Sequence, residues 1–423
     1  MTQDEDLLNH SILPSSPGKS IAVFYLLGMA SLTPWNFLIT PKDYWLEKFS
    51  TNASTQNQIQ TFWESSLSVC AMLPTFTFSF LTAFGVFKQS ATIRVFFALI
   101  VTFACLVINQ IFVFIPTRSF VGLFFTAMLV IVMIINSVGS VLITSTCGMA
   151  AKFGEKHIQA NLVGQSLAGI LAAVADIGSL SFVNDSEKST EAAAFGYFSI
   201  AVILIVLTFF AFKWLTNSAE FESIERKDDL DPLISISEIS TPTVDVMKII
   251  KTSKIECFQI FATLFVTLSV FPSIASDIEP LSVSSTKNVQ LWKATFVFLL
   301  FNIGDTVGRT LGDKFGQSSN KHSITILVLA RGAFLVLIPM CNVPARSHSS
   351  TMIHSDAVFI LFMAVLSVTN GYFSTLCMIR GVNRVQDELG VEYVEPAGAL
   401  FSLPMSAGLF SGACFSFFIQ SMI

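Results

Sequence analysis

Eleven stretches of this chain are each long enough and apolar enough to cross a bilayer as a helix. They cover residues 20–40, 61–87, 92–115, 120–151, 158–182, 195–215, 256–275, 292–315, 323–343, 357–379 and 395–421. About 20 apolar residues span the hydrocarbon core. Inside a bilayer no water is available to the backbone, so each segment must pair its own N–H and C=O groups, and a helix does this. The run 120–151 exceeds the requirement, so part of it is expected to tilt or project. Composition agrees. Of 423 residues, 52% are hydrophobic and 13% charged, against about a quarter charged in soluble domains. The expected class is an all-α polytopic membrane protein with eleven transmembrane helices.

One run carries charge well inside it. In FNIGDTVGRTL, residues 301–311, Asp305 and Arg309 are four apart. That is about one turn, or roughly 6 Å along the axis, and it puts both on one face. Asn302 and Phe298, three and seven residues before Asp305, share that face. Gly304 and Gly308 beside them admit a closely packed neighbour. An ionised group in hydrocarbon costs roughly 2.5–3.5 kcal/mol on insertion scales. The pair is therefore expected to face other helices or a water-filled cavity. Two roles stay open for it, ligand contact or a fixed strut between helices.

Other polar residues lie inside apolar runs. Trp35 and Asn36 follow Pro34, and Asn136, Ser137, Thr144 and Ser145 lie in the fourth run. Gln165, Ser166 and Asp176 lie in the fifth, Thr369 and Asn370 in the tenth, and Glu395 opens the eleventh. A polar pathway needs such groups, but hydrogen bonds between packed helices use them too. Gly139, Gly164, Gly169, Gly408 and Gly412 are expected to be packing notches. Arg331 and Arg380 fall at predicted inner helix ends, where snorkelling to the membrane surface accounts for them.

A cytoplasmic N-terminus puts 17 of the 24 Lys and Arg residues on inner segments and helix ends, and 7 on outer ones. The asymmetry favours that orientation. An odd number of spans then leaves Ile423 outside. The glycosylation tripeptides at Asn52 and Asn184 both fall in outer loops, though short polar loops also contain them by chance. The longest polar segment, 216–254, is rich in charge, Ser and Thr. It is expected to be a flexible cytoplasmic linker between a six-helix half, 20–215, and a five-helix half, 255–423. The tail 1–19 is acidic and polar, unlike a cleavable signal peptide. Its Leu7 and Leu8, after Asp4-Glu5-Asp6, resemble an acidic dileucine signal for sorting adaptors, as does DLDPLI at 229–234; incidental leucines in acidic segments are the plainer reading. The seven cysteines fall in or beside apolar runs without CxxC spacing and are expected to be buried thiols.

Enzymatic constellations are missing from the sequence. The five histidines are scattered, and no HExxH, GxSxG, Walker-type loop or paired metal-ligand set occurs. No catalytic residue, metal or cofactor is expected. A net charge of −5 with no basic tract argues against nucleic acid as a partner.

Taken together, the sequence blocks resemble the equilibrative nucleoside transporter family. They run in order as LTPWNFLITPKDYW, CAMLPTF, INSVGSVL, GQSLAG, FGYF, FPSIASDI, FNIGDTVGRTL, LARGAFLVLIPMCN, TNGYFSTLCMIRG and EPAGALFSLPMSAGLFSG. The resemblance covers the chain outside the N-terminal tail and the linker. It implies a major-facilitator-like arrangement of six and five helices, and sodium-independent facilitated diffusion of nucleosides, and often nucleobases, across the bilayer. Carried over position by position, it implies that Trp35 stacks on the base beside Leu32, with Met72 and Leu409 in the same apolar pocket. Asp305 and Arg309 would hydrogen-bond the ribose, with Asn302 and Phe298 nearby. One departure is Ile143, where the family often has a base-contacting glutamine. Selectivity then rests on shape or on Thr144, and Gln165 in the GQ block is a second candidate. Two alternatives remain: a proton-coupled nucleoside transporter of an acidic organelle, titrating Asp305 or Asp176, and a non-transporting receptor or scaffold signalling through 216–254. The plasma membrane is the expected location, with endosome or lysosome as the alternative.

Overall fold

A computed structural model describes residues 17–50, 58–182, 187–230, 245–281, 285–315, 320–343 and 351–423. All regular structure among these residues is helical. Helices stand at all eleven expected stretches. They are α1 (Pro17–Ile39), α2 (Gln58–Ala83), α3 (Ala91–Phe112), α4 (Val121–Phe153), α5 (Glu155–Phe182), α6 (Glu187–Thr216), α7 (Lys254–Val270), α8 (Leu300–Lys314), α9 (Lys321–Ala330), α10 (Asp356–Leu389) and α11 (Ser402–Met422). Among the described residues, nine helices are long and apolar enough to cross a membrane, so the count of eleven is not exactly reproduced. The two that fall short are α8 and α9. Asp305, Arg309, Asp313 and Lys314 lower the apolarity of α8, and a 3-10 turn at Arg331–Ala333 interrupts the ninth stretch before Phe334–Leu337.

The longest helices, α4 and α10, have 33 and 34 residues, well beyond the roughly 20 a bilayer needs. The tenth apolar run ends near 379, but GVNRVQDEL holds no proline and its Gly381 is carried within the helix, which stops only at Gly390. The apolar stripe Ile93, Phe97, Ile100 and Ile111 on α3 stays exposed. An exposed apolar face of that extent suits lipid and not water.

Small residues bring the helices together in pairs. α8 crosses α10 where a side chain on Gly308 would overlap the Val368 carbonyl, and one on Gly371 would overlap that of Asp305. α1 packs on α5, α2 on α4, and α7 on α11, the last at Gly408 and Gly412. Gly139 differs from the expected notch: its nearest neighbour for an added Cβ is Ser31 O at 3.7 Å, and it lines the central cavity.

The polar segment between α6 and α7 is helical at both described ends. Ala219–Leu230 begins with Glu220 and Glu222 in its first turn, where acidic groups favour a helix N-terminus. Val246–Thr252 is capped by Asp245, whose side chain accepts from Met247 N at 3.0 Å. Residues 231–244 of that segment lie outside the described residues, as do Leu7, Leu8, Asn52 and Asn184. All seven cysteines are free. Cys414 corrects the expectation of burial, because it lies on an exposed face of α11.

Candidate functional site

A central cavity of about 170 Å³ is walled by α1, α2, α4 and α5 on one side and by α7, α8, α10 and α11 on the other. It has room for on the order of ten water molecules. Each residue that the resemblance placed against the substrate lines it, while Asp176, the alternative titrating group, does not. α8 contributes Phe298, just before its start, with Asn302, Asp305 and Arg309. α1 brings Leu32 and Trp35, α2 Met72, α5 Gln165 and α11 Leu409.

Local structure explains how α8 presents its polar face. A π-helical turn, Ala294–Leu299, precedes it; such turns re-aim side chains and recur at functional sites. The Asn302 amide nitrogen donates to Phe298 O at 2.8 Å, and its side chain occupies space that a side chain at Gly169 of α5 would fill. Asp305 and Arg309 are 3% and 5% exposed. Arg309 Nε donates to Asp305 Oδ2 at 2.7 Å, and Asn370 Nδ2 donates to Asp305 Oδ1 at 2.6 Å. Both carboxylate oxygens are thus engaged from within the wall. A buried pair of this kind contributes little net stability, but deleting one partner costs about 3–5 kcal/mol because the other charge is left alone.

Arg309 also reaches across to α5, where its Nη1 donates to Gln165 Oε1 at 3.4 Å. Since arginine only donates, Gln165 must turn its oxygen toward it. The Gln165 Nε2 is then a buried donor with no hydrogen-bond partner. Two further bonds join α8 and α5, from Thr306 Oγ1 to Ser166 Oγ at 2.9 Å and from Gln159 Nε2 to Thr310 O at 3.1 Å.

The rest of the wall is apolar or bears hydroxyls, apart from the amides of Asn36, Asn136 and Asn370. Ile143 lines the cavity, but Thr144 does not: it is fully buried and its hydroxyl pairs with Ser402 Oγ at 2.8 Å. Ser79 and Ser140 pair with each other at 2.8 Å, also on the wall. Among the described residues, no His, Cys, Asp and Glu cluster is arranged to hold a metal.

Arg331 corrects the snorkelling reading. It is 3% exposed, and its guanidinium donates to Thr263 O, Thr267 Oγ1 and Leu366 O at 2.9, 2.8 and 3.2 Å. The 3-10 turn that starts at Arg331 ends the helix there, inside the bundle and not at its rim. Arg380 is only half-buried and lines a separate polar recess with Lys321 and Arg384. Sequence reasoning passed over Asn370 as a partner of Asp305 and gave Thr267 no role. For Asn370 the signal was an amide midway along an apolar run; for Thr267 there was none.

Comparison with known proteins bears on this geometry. A family model described as nucleoside transporter matches residues 128–421. Human equilibrative nucleoside transporter 1 is 26% identical over 454 residues, covering 95% of this chain and 96% of that one. Rat equilibrative nucleoside transporter 2 is 28% identical over 449 residues, with coverage of 95% and 96%. Rat equilibrative nucleoside transporter 3 is 27% identical over 427 residues, with coverage of 95% and 88%. Among solved structures, the E. coli fucose:proton symporter aligns at a TM-score of 0.52 and 11% identity, over 96% of this chain and 97% of that one. A proton:xylose symporter of the major facilitator superfamily aligns at 0.51 and 11%, over 96% and 94%. At such identity the likeness is one of fold, so the helices adopt the major-facilitator arrangement. With that arrangement and a family match spanning most of its length, the chain belongs to the nucleoside transporter family.

Proposed function

We propose that this protein carries nucleosides passively across a membrane by exposing its central cavity to each side in turn. The observation that carries the reading is the make-up of one wall: a buried Asp305–Arg309 pair in a cavity that also holds Trp35, Leu32, Met72 and Leu409. A nucleoside is a flat aromatic base on a polyhydroxylated sugar. The sugar suits charged hydrogen-bond partners and the base an aromatic and aliphatic slot. In this reading ribose hydroxyls donate to Asp305 and accept from Arg309 and Gln165, with Asn302 and Phe298 beside them. The base lies against Trp35. Relatives that are named as equilibrative nucleoside transporters support both the substrate class and the passive mode. The role is that of a carrier, without catalysis.

Residues 20–215 and 255–423 are taken as two halves that rock about the cavity, joined by 216–254. The charge asymmetry supports a cytoplasmic N-terminus and an outer C-terminus; glycans at Asn52 and Asn184, sorting through Leu7 and Leu8, and residence in the plasma membrane are further parts of the proposal.

Purified protein in liposomes tests the reading. Labelled uridine and adenosine should enter until inner and outer concentrations match, with or without a proton gradient, and unlabelled nucleosides should compete. Accumulation above the outer concentration, driven by protons, would move the protein to the coupled class. Entry no faster than in protein-free liposomes would reject transport.

A further inference from the structure

Arg331 is a second buried cation near the cavity, and the transport reading above makes no use of it. It does not line the cavity, and all its acceptors are neutral: Thr263 O, Thr267 Oγ1 and Leu366 O. A buried charge held this way is costly and calls for a role.

From Arg331 a chain of hydrogen bonds leads to Asp305. Thr267 Oγ1 accepts from Arg331 Nη2 and donates to Asn370 Oδ1 at 2.8 Å. Asn370 Nδ2 donates to Asp305 Oδ1 at 2.6 Å. Arginine only donates and a carboxylate only accepts, so the direction of every link is fixed. The Thr267 hydroxyl has an alternative acceptor in Thr263 O, at 3.0 Å. Arg331 Nη1 donates to that same carbonyl at 2.9 Å. The guanidinium therefore does two things. It competes for the acceptor the hydroxyl would otherwise choose, and it donates to the hydroxyl oxygen, leaving the hydroxyl hydrogen for Asn370.

We propose that Arg331 is a positioning residue for the substrate site: through Thr267 and Asn370 it fixes the Asp305 carboxylate and leaves its remaining lone pairs aimed at a ligand hydroxyl. Without it the Thr267 hydroxyl turns to Thr263 O, the Asn370 amide loses its fixed sense, and the carboxylate gains freedom to rotate. The proposal rests on the reading that Asp305 binds sugar hydroxyls. A lysine at 331 does not substitute, because a point donor lacks the planar fork that serves Thr263 O and Thr267 Oγ1 together.

Thr267→Val, Arg331→Gln, Arg331→Lys and the double variant Thr267→Val with Arg331→Gln test this in reconstituted liposomes. The readouts are KM and Vmax for labelled uridine, and the ratio of inhibition by uridine to inhibition by 2′,3′-dideoxyuridine. Thr267→Val and Arg331→Gln should each raise KM about tenfold, the weight of an oriented hydrogen bond to a charged group. Each should also shrink the preference for the full ribose while Vmax stays within about twofold, and Arg331→Lys should behave like Arg331→Gln. The double variant should be no worse than either single one, because both cut one chain. Additive losses would overturn the proposal, as would lower protein yield with unchanged KM and sugar preference, the pattern of a packing role. Should Arg331→Gln fail to fold, Thr267→Val decides by the same criteria. Asp305→Asn separates the two levels. If it keeps KM and sugar preference, the site reading fails and takes this proposal with it. If it loses them while Thr267→Val and Arg331→Gln do not, only the relay fails.

Discussion

Arg309→Ala would leave the Asp305 carboxylate buried with Asn370 as its one remaining side-chain donor. The expected cost is about 3–5 kcal/mol, read as a clear fall in melting temperature in detergent; an unchanged melting temperature would mean that water replaces the guanidinium freely. Trp35 tests the other part of the wall. Trp35→Ala should raise the KM for nucleosides about 3- to 10-fold, and Trp35→Phe by much less, since aromatic stacking contributes about 0.5–1.5 kcal/mol. Equal effects from both, in a competition assay, would argue for shape alone. At this scale the sequence was most informative where a residue broke a strong rule. Asp305 and Arg309 stood out because charge in an apolar run is costly, whereas Met72, Leu409 and the base-stacking role of Trp35 came only with the resemblance. Arg331 was misplaced because distance from the end of an apolar run says little about depth once a 3-10 turn interrupts the helix. Thr267 carried no signal, since a hydroxyl can bond its own helix and looks the same in either role.

Among the elements, α8 and α10 are the pair that sets the polar face. They cross with the Gly308 and Gly371 backbones pressed against the opposing helix. Gly371→Ala should therefore force the helices apart and cost about 1–3 kcal/mol, the usual range for overpacking. Gly139→Ala, whose added Cβ would meet Ser31 O at an ordinary 3.7 Å, should cause no loss of melting temperature. Thermal unfolding in detergent compares the two, and equal losses would contradict the packing described. Apolar length made the helices legible, and the glycines at 304 and 308 marked a close neighbour. What the pattern did not show is how helices end or change form. The last turns of α10 outrun its apolar run, and the π-turn before α8 leaves no mark in hydrophobicity.

Across the whole molecule, two long helices end in the same way. α4 stops at Gly154, φ 103° and ψ 178°, and α10 at Gly390, φ 115° and ψ 170°. Both lie in a region that L side chains rarely enter; α5 begins directly after Gly154, and a 3-10 turn, Val391–Tyr393, leads from Gly390 into a short helix, Val394–Leu400, before α11. Just past these glycines the contacts are reciprocal. Glu155, after Gly154, accepts from Asn383 Nδ2 of α10 at 2.5 Å. Glu395, after Gly390, forms an ion pair with Lys152 of α4. In the proposed rocking of the halves, both contacts at this end of the bundle would break. Lys152→Glu should therefore lower Vmax several-fold, and adding Glu395→Lys should restore part of it, in line with the modest strength of half-exposed pairs, about 1 kcal/mol or less. Failure of the double variant to recover would remove these residues from the transport cycle. None of this pairing was legible in the sequence, where Glu395 read only as a polar opening to the last run. Contacts between helices more than 200 residues apart become visible only when the fold brings them together.

Initial uptake of labelled uridine into liposomes, with matched amounts of wild type, Asp305→Asn and Arg309→Gln inserted, is the decisive measurement. Saturable uptake by the wild type, with both variants reduced at least tenfold though folded and inserted, is the result expected of a buried charge pair that holds the sugar. Wild-type rates from both variants would mean that the pair is a strut between helices and that substrate passes without touching it.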